Sequence, residues 1–362
     1  MPYLTIEDGH RVALQTGADG QPERVHVFSR REIDAVNAAL GAGRPLLVRG
    51  EPGVGKTQLA EAVAVQLQRL LLPFVVDARS ESRDLLWHLD AVQRLADAQL
   101  LGAAGELRLG GQPPAGDPGD AGEPEPPVRR LLCALREALA LEHYLHPGPL
   151  WWAFDWEGAG RQAAAVRLAP PSLAAPSAGC VVLIDEIDKA ESDLPNGLLE
   201  ASGARCFTPQ GRTAPVRAVG ELPLVIVTTN EERTLPDAFV RRCLVLHLRL
   251  PDEDPETLVT HLMGRGCAHF PAADAAVLER AARLLARDRA SAEEYQWYPL
   301  PGQAEYLDLV RAVRALETDP QAQLRRLDDL GRYLLKKHPE AARAADRDPD
   351  PDRSSDALVP PA

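Results

Sequence analysis

The sequence predicts an α/β fold, a parallel sheet covered on both faces by helices, with a separate helical lobe after it. Five short, almost wholly apolar runs each end in polar residues, and segments of helical period alternate with them. After Pro251 the apolar runs stop while the helical period continues. Strands buried on both faces read as continuous hydrophobic runs rather than as alternating ones, and that is the parallel case.

Residues 1–24 are polar and glycine-containing, a lead-in without regular pattern, and the α/β core is expected over 25–250. SRREIDAVNAALGAG has apolar residues at helical spacing and a glycine stop. PLLVRG reads as the first buried strand, TQLAEAVAVQLQRL as a helix and LPFVVDA as the second strand. Helical sequence from Ser82 fades near Leu101. Residues 102–127, which include GGQPPAGDPGDAGEPEPP, read as a disordered insertion: proline, glycine and acid with nothing to bury. VRRLLCALREALALEHYL restores order, and GPLWWAFDWEG follows, either core aromatics or an aromatic loop that meets a partner. CVVLIDE, LPLVIVTTN and CLVLHLRL are the remaining strands. ETLVTHLMGR, AAVLERAARLLAR, QAEYLDLVRAVRAL and LRRLDDLGRYLLKK are amphipathic helices of a lid at 251–340, and the charged, proline-rich stretch 341–362 reads as a disordered tail.

Composition narrows the function. An apolar fraction of 45% with 26% charged residues is ordinary for a soluble globular chain. A formal net charge of −13 argues against a general nucleic-acid binder, which carries a basic field. Cys133, Cys180, Cys206, Cys243 and Cys267 lack zinc spacing and read as reduced, mostly buried thiols. The N-terminus has no signal-peptide pattern and no apolar run is long enough to span a membrane, so the expected location is cytoplasmic.

GEPGVGKT carries G-x-x-x-x-G-K-[ST] between an apolar strand and a helix, which is where the phosphate loop of a P-loop NTPase must stand. In this loop Gly50, Glu51, Pro52, Gly53, Val54, Gly55, Lys56, Thr57 and Gln58 are the expected nucleotide-binding residues. Glycines let the backbone close around phosphate with amide N–H groups and a helix N-terminus facing the anion. Lys56 reaches the β and γ phosphates of ATP, and the Thr57 hydroxyl ligates Mg2+. Of forty basic side chains only four are lysines, so a lysine kept here is informative. A compact ammonium works as a point charge inside a tight loop, whereas a guanidinium demands a forked geometry.

CVVLIDE carries the chain through a sheet to Asp185, expected to hold Mg2+ through water, and to Glu186, placed to polarise the attacking water. Lys189 reads equally as a helix-start surface cation. Asn230 ends LPLVIVTTN, where an amide can orient the lytic water or the γ-phosphate, although Thr and Asn at a strand end are also ordinary turn chemistry. Arg241 and Arg242 precede the fifth strand as a solvated pair or as an arginine finger reaching a neighbouring subunit's ATP.

Together RPLLVRGEPGVGKT, HPGPLWWA, VVLIDEIDKAESDLPNGLLEA and VIVTTNEERTLPDAFVRRC resemble the AAA+ ATPases of the MoxR branch over roughly residues 25–250. The resemblance implies a P-loop NTPase (AAA+) parallel-sheet core with a C-terminal helical lid. It also implies a homo-oligomeric ring, commonly a hexamer, with ATP at subunit interfaces. Asn230 then matches sensor 1, and Arg242 matches the finger with Arg241 as the alternate. The GPLWWAF segment matches the helix-2 insert near the pore. Family members are chaperone-like remodelling ATPases that often act with von Willebrand factor A domain proteins. One departure is that YPLPGQAEYLDLVRAV has no Arg or Lys before Arg311 where the family's lid offers a basic sensor 2 residue; either that sensing is absent or an arginine such as Arg287 or Arg289 substitutes. The rival reading is an ATP-gated regulatory switch with little turnover. A nucleic-acid motor related to restriction GTPases is disfavoured by the net charge.

Overall fold

The computed structural model describes residues 3–14, 24–109, 127–190, 193–251 and 253–340, without the side chains of 103–109 and 127–132. The five apolar runs form the strands Leu46–Arg49, Leu70–Val75, Cys180–Asp185, Leu224–Thr229 and Leu244–His247 of one sheet. Across the sheet they lie in the sequence order fifth, first, fourth, third, second. Leu244–His247 and Leu224–Thr229 both pair in parallel with Leu46–Arg49, and Leu70–Val75 pairs in parallel with Cys180–Asp185. Leu46, Leu47, Val48, Val181, Val182, Ile226 and Val227 are all fully buried, as continuous apolar strands require.

The chain divides into two compact units. One comprises Arg69–Val225 with Leu235–Arg242, the other Pro2–Gln68, Ile226–Thr234 and Cys243–Ala362.

In the first unit the aromatic segment forms the helices Pro149–Phe154 and Trp156–Ala165, and Trp151, Trp152 and Phe154 are buried. Phe207 packs against Trp87, Trp151 and Phe154 with ring centroids 5.7, 6.0 and 6.1 Å away. Of the two readings of this segment, core aromatics is the one observed. The helix Ala91–Leu109 runs past residue 102, where disorder was expected to begin, because ELRL supplies good helix formers up to the first Gly-Gly. The rest of the expected insertion, 110–126, and the expected tail, 341–362, lie outside the described residues; Pro127 begins the helix Pro127–Ala138. Two short antiparallel pairs, Trp87–Leu89 with Leu145–Pro147 and Cys206–Phe207 with Val216–Arg217, were not expected. At two or three residues they are too short to show a period.

The second unit opens with a hairpin that the lead-in conceals, Arg11–Leu14 paired antiparallel with Arg24–Val27. The helix Arg30–Ala42 starts on a Ser29–Glu32 capping box and ends on Gly43 in the left-handed conformation. The helix after the phosphate loop, Lys56–Gln66, stops earlier than its sequence period suggests. Gln68 adopts φ 54°, which turns the chain so that Leu70 and Leu71 enter the second strand. Four C-terminal helices follow: Pro255–His269, Ala275–Glu294, Gln303–Leu316 and Pro320–Leu334. Asp254, Asp274 and Asp319 cap the first, second and fourth. Leu262, Val277, Leu285, Tyr306, Val310 and Leu327 form their shared core.

Cys180 and Cys243 are buried as expected, but Cys133 and Cys267 are exposed; all five thiols are free. Burial pushes the Cys180 thiol up to about 11 and Cys243 up to about 12, so both stay protonated at neutral pH.

A titratable cluster ties the hairpin to the helices Arg30–Ala42 and Pro255–His269. The Glu32 carboxylate accepts from the Ser29 backbone N–H and hydroxyl at 2.6 and 2.8 Å and lies 3.5 Å from His26 Nε2. Burial alone would raise that carboxyl, yet His26 and Ser29 hold it below the usual range. Arg265 donates to the Val27 carbonyl at 2.7 Å. Burial, reinforced by Arg311, Arg265 and His26, pushes His269 down to about 4 against a bond to the Val25 backbone. Burial and Arg265 also lower His261. An unfolded histidine titrates near ~6.5, so between there and its folded value the unfolded chain binds a proton that the fold refuses. Stability is therefore expected to fall as pH drops through that window, by at most about 1.4 kcal/mol per pH unit for one histidine. Thermal unfolding of His269→Phe across the window should give a shallower acid limb than the parent. An unchanged limb would remove His269 from the account.

Candidate functional site

The loop of residues 50–55 joins the strand Leu46–Arg49 to the helix Lys56–Gln66, and its glycines are required by geometry. A Cβ on Gly50 would lie 2.2 Å from the Leu248 carbonyl oxygen, so no larger residue fits. Gly53 has φ 79°, and a Cβ there would stand 2.9 Å from Ala304 Cβ. Gly55, at the N-cap position, provides no side-chain cap for the helix. The first-turn N–H groups and the helix dipole therefore present a backbone cradle of the kind that receives an anion. The loop fits a nucleotide phosphate chain on these grounds.

Lys56 is only 7% exposed, and its Nζ donates to the carbonyls of Gly50 at 2.7 Å and Glu51 at 2.8 Å and to Asn230 Oδ1 at 2.7 Å. A buried ammonium needs such partners to offset its lost hydration. Asn230 follows the strand Leu224–Thr229, and the Thr229 hydroxyl oxygen accepts from the Glu231 N–H at 2.9 Å. Glu231 takes φ 61° and pairs with Arg49 at 3.2 Å. The Thr-Thr-Asn end is a turn, and the turn aims the side-chain carbonyl of Asn230 at Lys56. Thr57 and Gln58 lie in the first turn of the helix, and Glu51 and Pro52 are exposed.

The other expected residues belong to the first unit. Asp185 ends the buried strand Cys180–Asp185, and its carbonyl accepts from the Val76 N–H at 3.0 Å. Glu186 follows with φ 60° and ψ 51°, a left-handed conformation costing a non-glycine residue on the order of 1 kcal/mol or more. Its carboxylate pairs with Lys189, an exposed cation three residues on. Arg241 and Arg242 follow the short helix Asp237–Val240, anchored by fully buried Phe239, and both side chains are exposed.

The two arginines considered for the lid part ways. Arg287 is 43% exposed beside Asp288, whereas the Arg289 side chain, 3% exposed, grips Glu51 with both terminal nitrogens at 2.9 and 3.1 Å. Sequence period alone could not choose between them, since which face of Ala275–Glu294 meets the loop depends on tertiary packing.

Residues 45–243 match the family model described as AAA domain (dynein-related subfamily). No curated protein matches the chain. Among solved structures the chain is similar to a point mutant of RuvB from Thermotoga maritima, with 14% identity, 83% of this chain and 69% of that one covered, and a TM-score of 0.41. A second RuvB point mutant from Thermotoga maritima gives 14% identity over 83% and 68%, with a TM-score of 0.39. A candidate ATPase of Cytophaga hutchinsonii gives 12% identity over 85% and 80%, with a TM-score of 0.33. Among the described residues no helix is long and apolar enough to cross a membrane.

Proposed function

The chain belongs to the AAA domain family, in its dynein-related subfamily, and from that premise we propose a MoxR-like, ring-forming AAA+ ATPase that remodels a partner protein. The observation that carries the nucleotide part is the Lys56 ammonium held inside a glycine cradle by Gly50, Glu51 and Asn230. In this reading residues 50–58 bind ATP, and Lys56 sets a positive point charge against its terminal phosphates. Mg2+, when bound, would be held by Thr57 and Asp185 and would neutralise phosphate charge. Glu186 orients and deprotonates the attacking water, and Asn230 positions it. Arg242, with Arg241 as the alternate, serves a neighbouring copy's site as the finger; the exposure of both side chains supports that assignment. Residues 25–250 act as the ATPase core and 251–340 as its lid. The client is a protein, a von Willebrand factor A domain protein being the class the family resemblance suggests, and the work is done in the cytoplasm.

Turnover measured against protein concentration tests the ring. With an arginine supplied in trans, specific ATPase activity should rise as subunits assemble and then level off, and Arg242→Ala should flatten the rise. A profile flat from the start would favour a second reading, an ATP-gated switch with little turnover. The Lys189 ion pair on Glu186 supports that alternative, because a carboxylate engaged by a cation must be released before it can meet a water.

A further inference from the structure

We infer that Glu51 and Arg289 form a latch through which the helical region positions the phosphate loop, so that Arg289 is a positioning residue for nucleotide. The inference rests on nucleotide binding at residues 50–58 as proposed above.

Three contacts converge on residues 51–53. Arg289 Nη1 lies 2.9 Å from Glu51 Oε2, and Nη2 donates to Glu51 Oε1 at 3.1 Å, a two-pronged pairing. The same Nη1 donates to the Pro301 carbonyl at 3.1 Å, which ties the guanidinium to the turn that opens the helix Gln303–Leu316. That helix then brings Ala304 against Gly53, and Gly302 stands where its Cβ would be 3.6 Å from the Pro52 carbonyl oxygen. Nε of Arg289 lies 3.5 Å from the Glu293 carboxylate of its own helix, a charge contact and not a hydrogen bond.

The pairing is lopsided in a telling way. The Arg289 side chain is 3% exposed and Glu51's is 47% exposed. A guanidinium taken out of water is costly unless it is well paired, so the buried member is the fixed one and the loop carboxylate comes to it. The backbone of Glu51 has little freedom to adjust, because the next residue is proline. Its carbonyl also accepts from Lys56 Nζ at 2.8 Å. A shift of the Arg289 helix therefore moves an acceptor of the phosphate-binding ammonium, and the loop's grip reads the position of that helix. In free-energy terms the latch holds the loop in its binding shape beforehand, and without it binding must first select that shape.

The test is equilibrium binding of a fluorescent ATP analogue with Mg2+ to the full chain and to Glu51→Gln, Arg289→Met, Arg289→Lys and the double variant Glu51→Gln/Arg289→Met. Glu51→Gln touches a half-exposed side chain, so it keeps the comparison valid even if Arg289→Met folds poorly. Each single removal should weaken binding roughly tenfold, the order expected for one charge-assisted pair. The double variant should bind no more weakly than Arg289→Met alone, and Arg289→Lys should recover part of the loss. Hydrogen exchange without nucleotide should be faster at amides 50–56 in Glu51→Gln. Parental affinity in Glu51→Gln, losses that multiply in the double variant, or unchanged exchange would each overturn the latch. A parent chain with no affinity for the analogue would instead overturn the nucleotide reading, while the exchange measurement would still decide on the latch.

Discussion

Glu186→Gln is expected to bind ATP with Mg2+ as tightly as the parent while turnover falls roughly 10²- to 10⁴-fold, the usual range for loss of a general base. Glutamine matches glutamate in shape and can occupy the same left-handed position, φ 60°, at the end of the buried strand Cys180–Asp185. What it cannot do is take a proton from water. The pairing with Lys189 is lost too, but both side chains are partly exposed, and such surface pairs contribute little to stability. Single-turnover hydrolysis beside equilibrium binding separates the two effects. Parental turnover in this variant would mean that the base is another group.

Lys56→Ala should lose nucleotide affinity by about a hundredfold or more, since it removes a charge and several charge-assisted hydrogen bonds at once. The fold should feel the change as well. Gly50 O, Glu51 O and Asn230 Oδ1 all lose the ammonium that now satisfies them. Unsatisfied buried acceptors cost about 1–3 kcal/mol each where water cannot replace the donor. Lys56→Arg sharpens the test. This chain uses arginine for all but four of its forty cations, so if charge alone mattered, arginine at residue 56 should serve. We expect it to fail, because a planar fork cannot donate to three oxygens converging at 2.7–2.8 Å inside a loop closed by the Gly50 approach to Leu248. Titration with a fluorescent ATP analogue reads the binding, and thermal unfolding reads the stability. Parental affinity in Lys56→Arg would show that the loop is looser than its hydrogen bonds imply.

The elements and several candidate residues were legible because their signals are local. Apolar runs such as VVLI at 181–184 admit one explanation, a strand covered on both sides, and a glycine-rich loop before a helix has one well-known use. The four C-terminal helices announced themselves through their apolar period. Where local signals were short or conflicting, reading failed. The hairpin Arg11–Leu14/Arg24–Val27 spans four residues a side, too few for alternation to stand out among polar neighbours. The helical period continued through Leu70 on paper, and only the turn at Gln68 ended it.

By itself, then, the sequence determined the strands, the glycine loop between the first strand and its helix, the carboxylates at the end of the third strand and the class of fold, since each follows from spacing within a few residues. Tertiary structure alone decided the order of strands in the sheet, the burial of Trp151 and Trp152, the pairing of Asn230 with Lys56, and the choice of Arg289 over Arg287. Those outcomes depend on which faces meet between segments distant along the chain, as with the 238 positions that separate Glu51 from Arg289. Pattern along the chain says that a face is apolar or charged, but what that face meets is settled by packing.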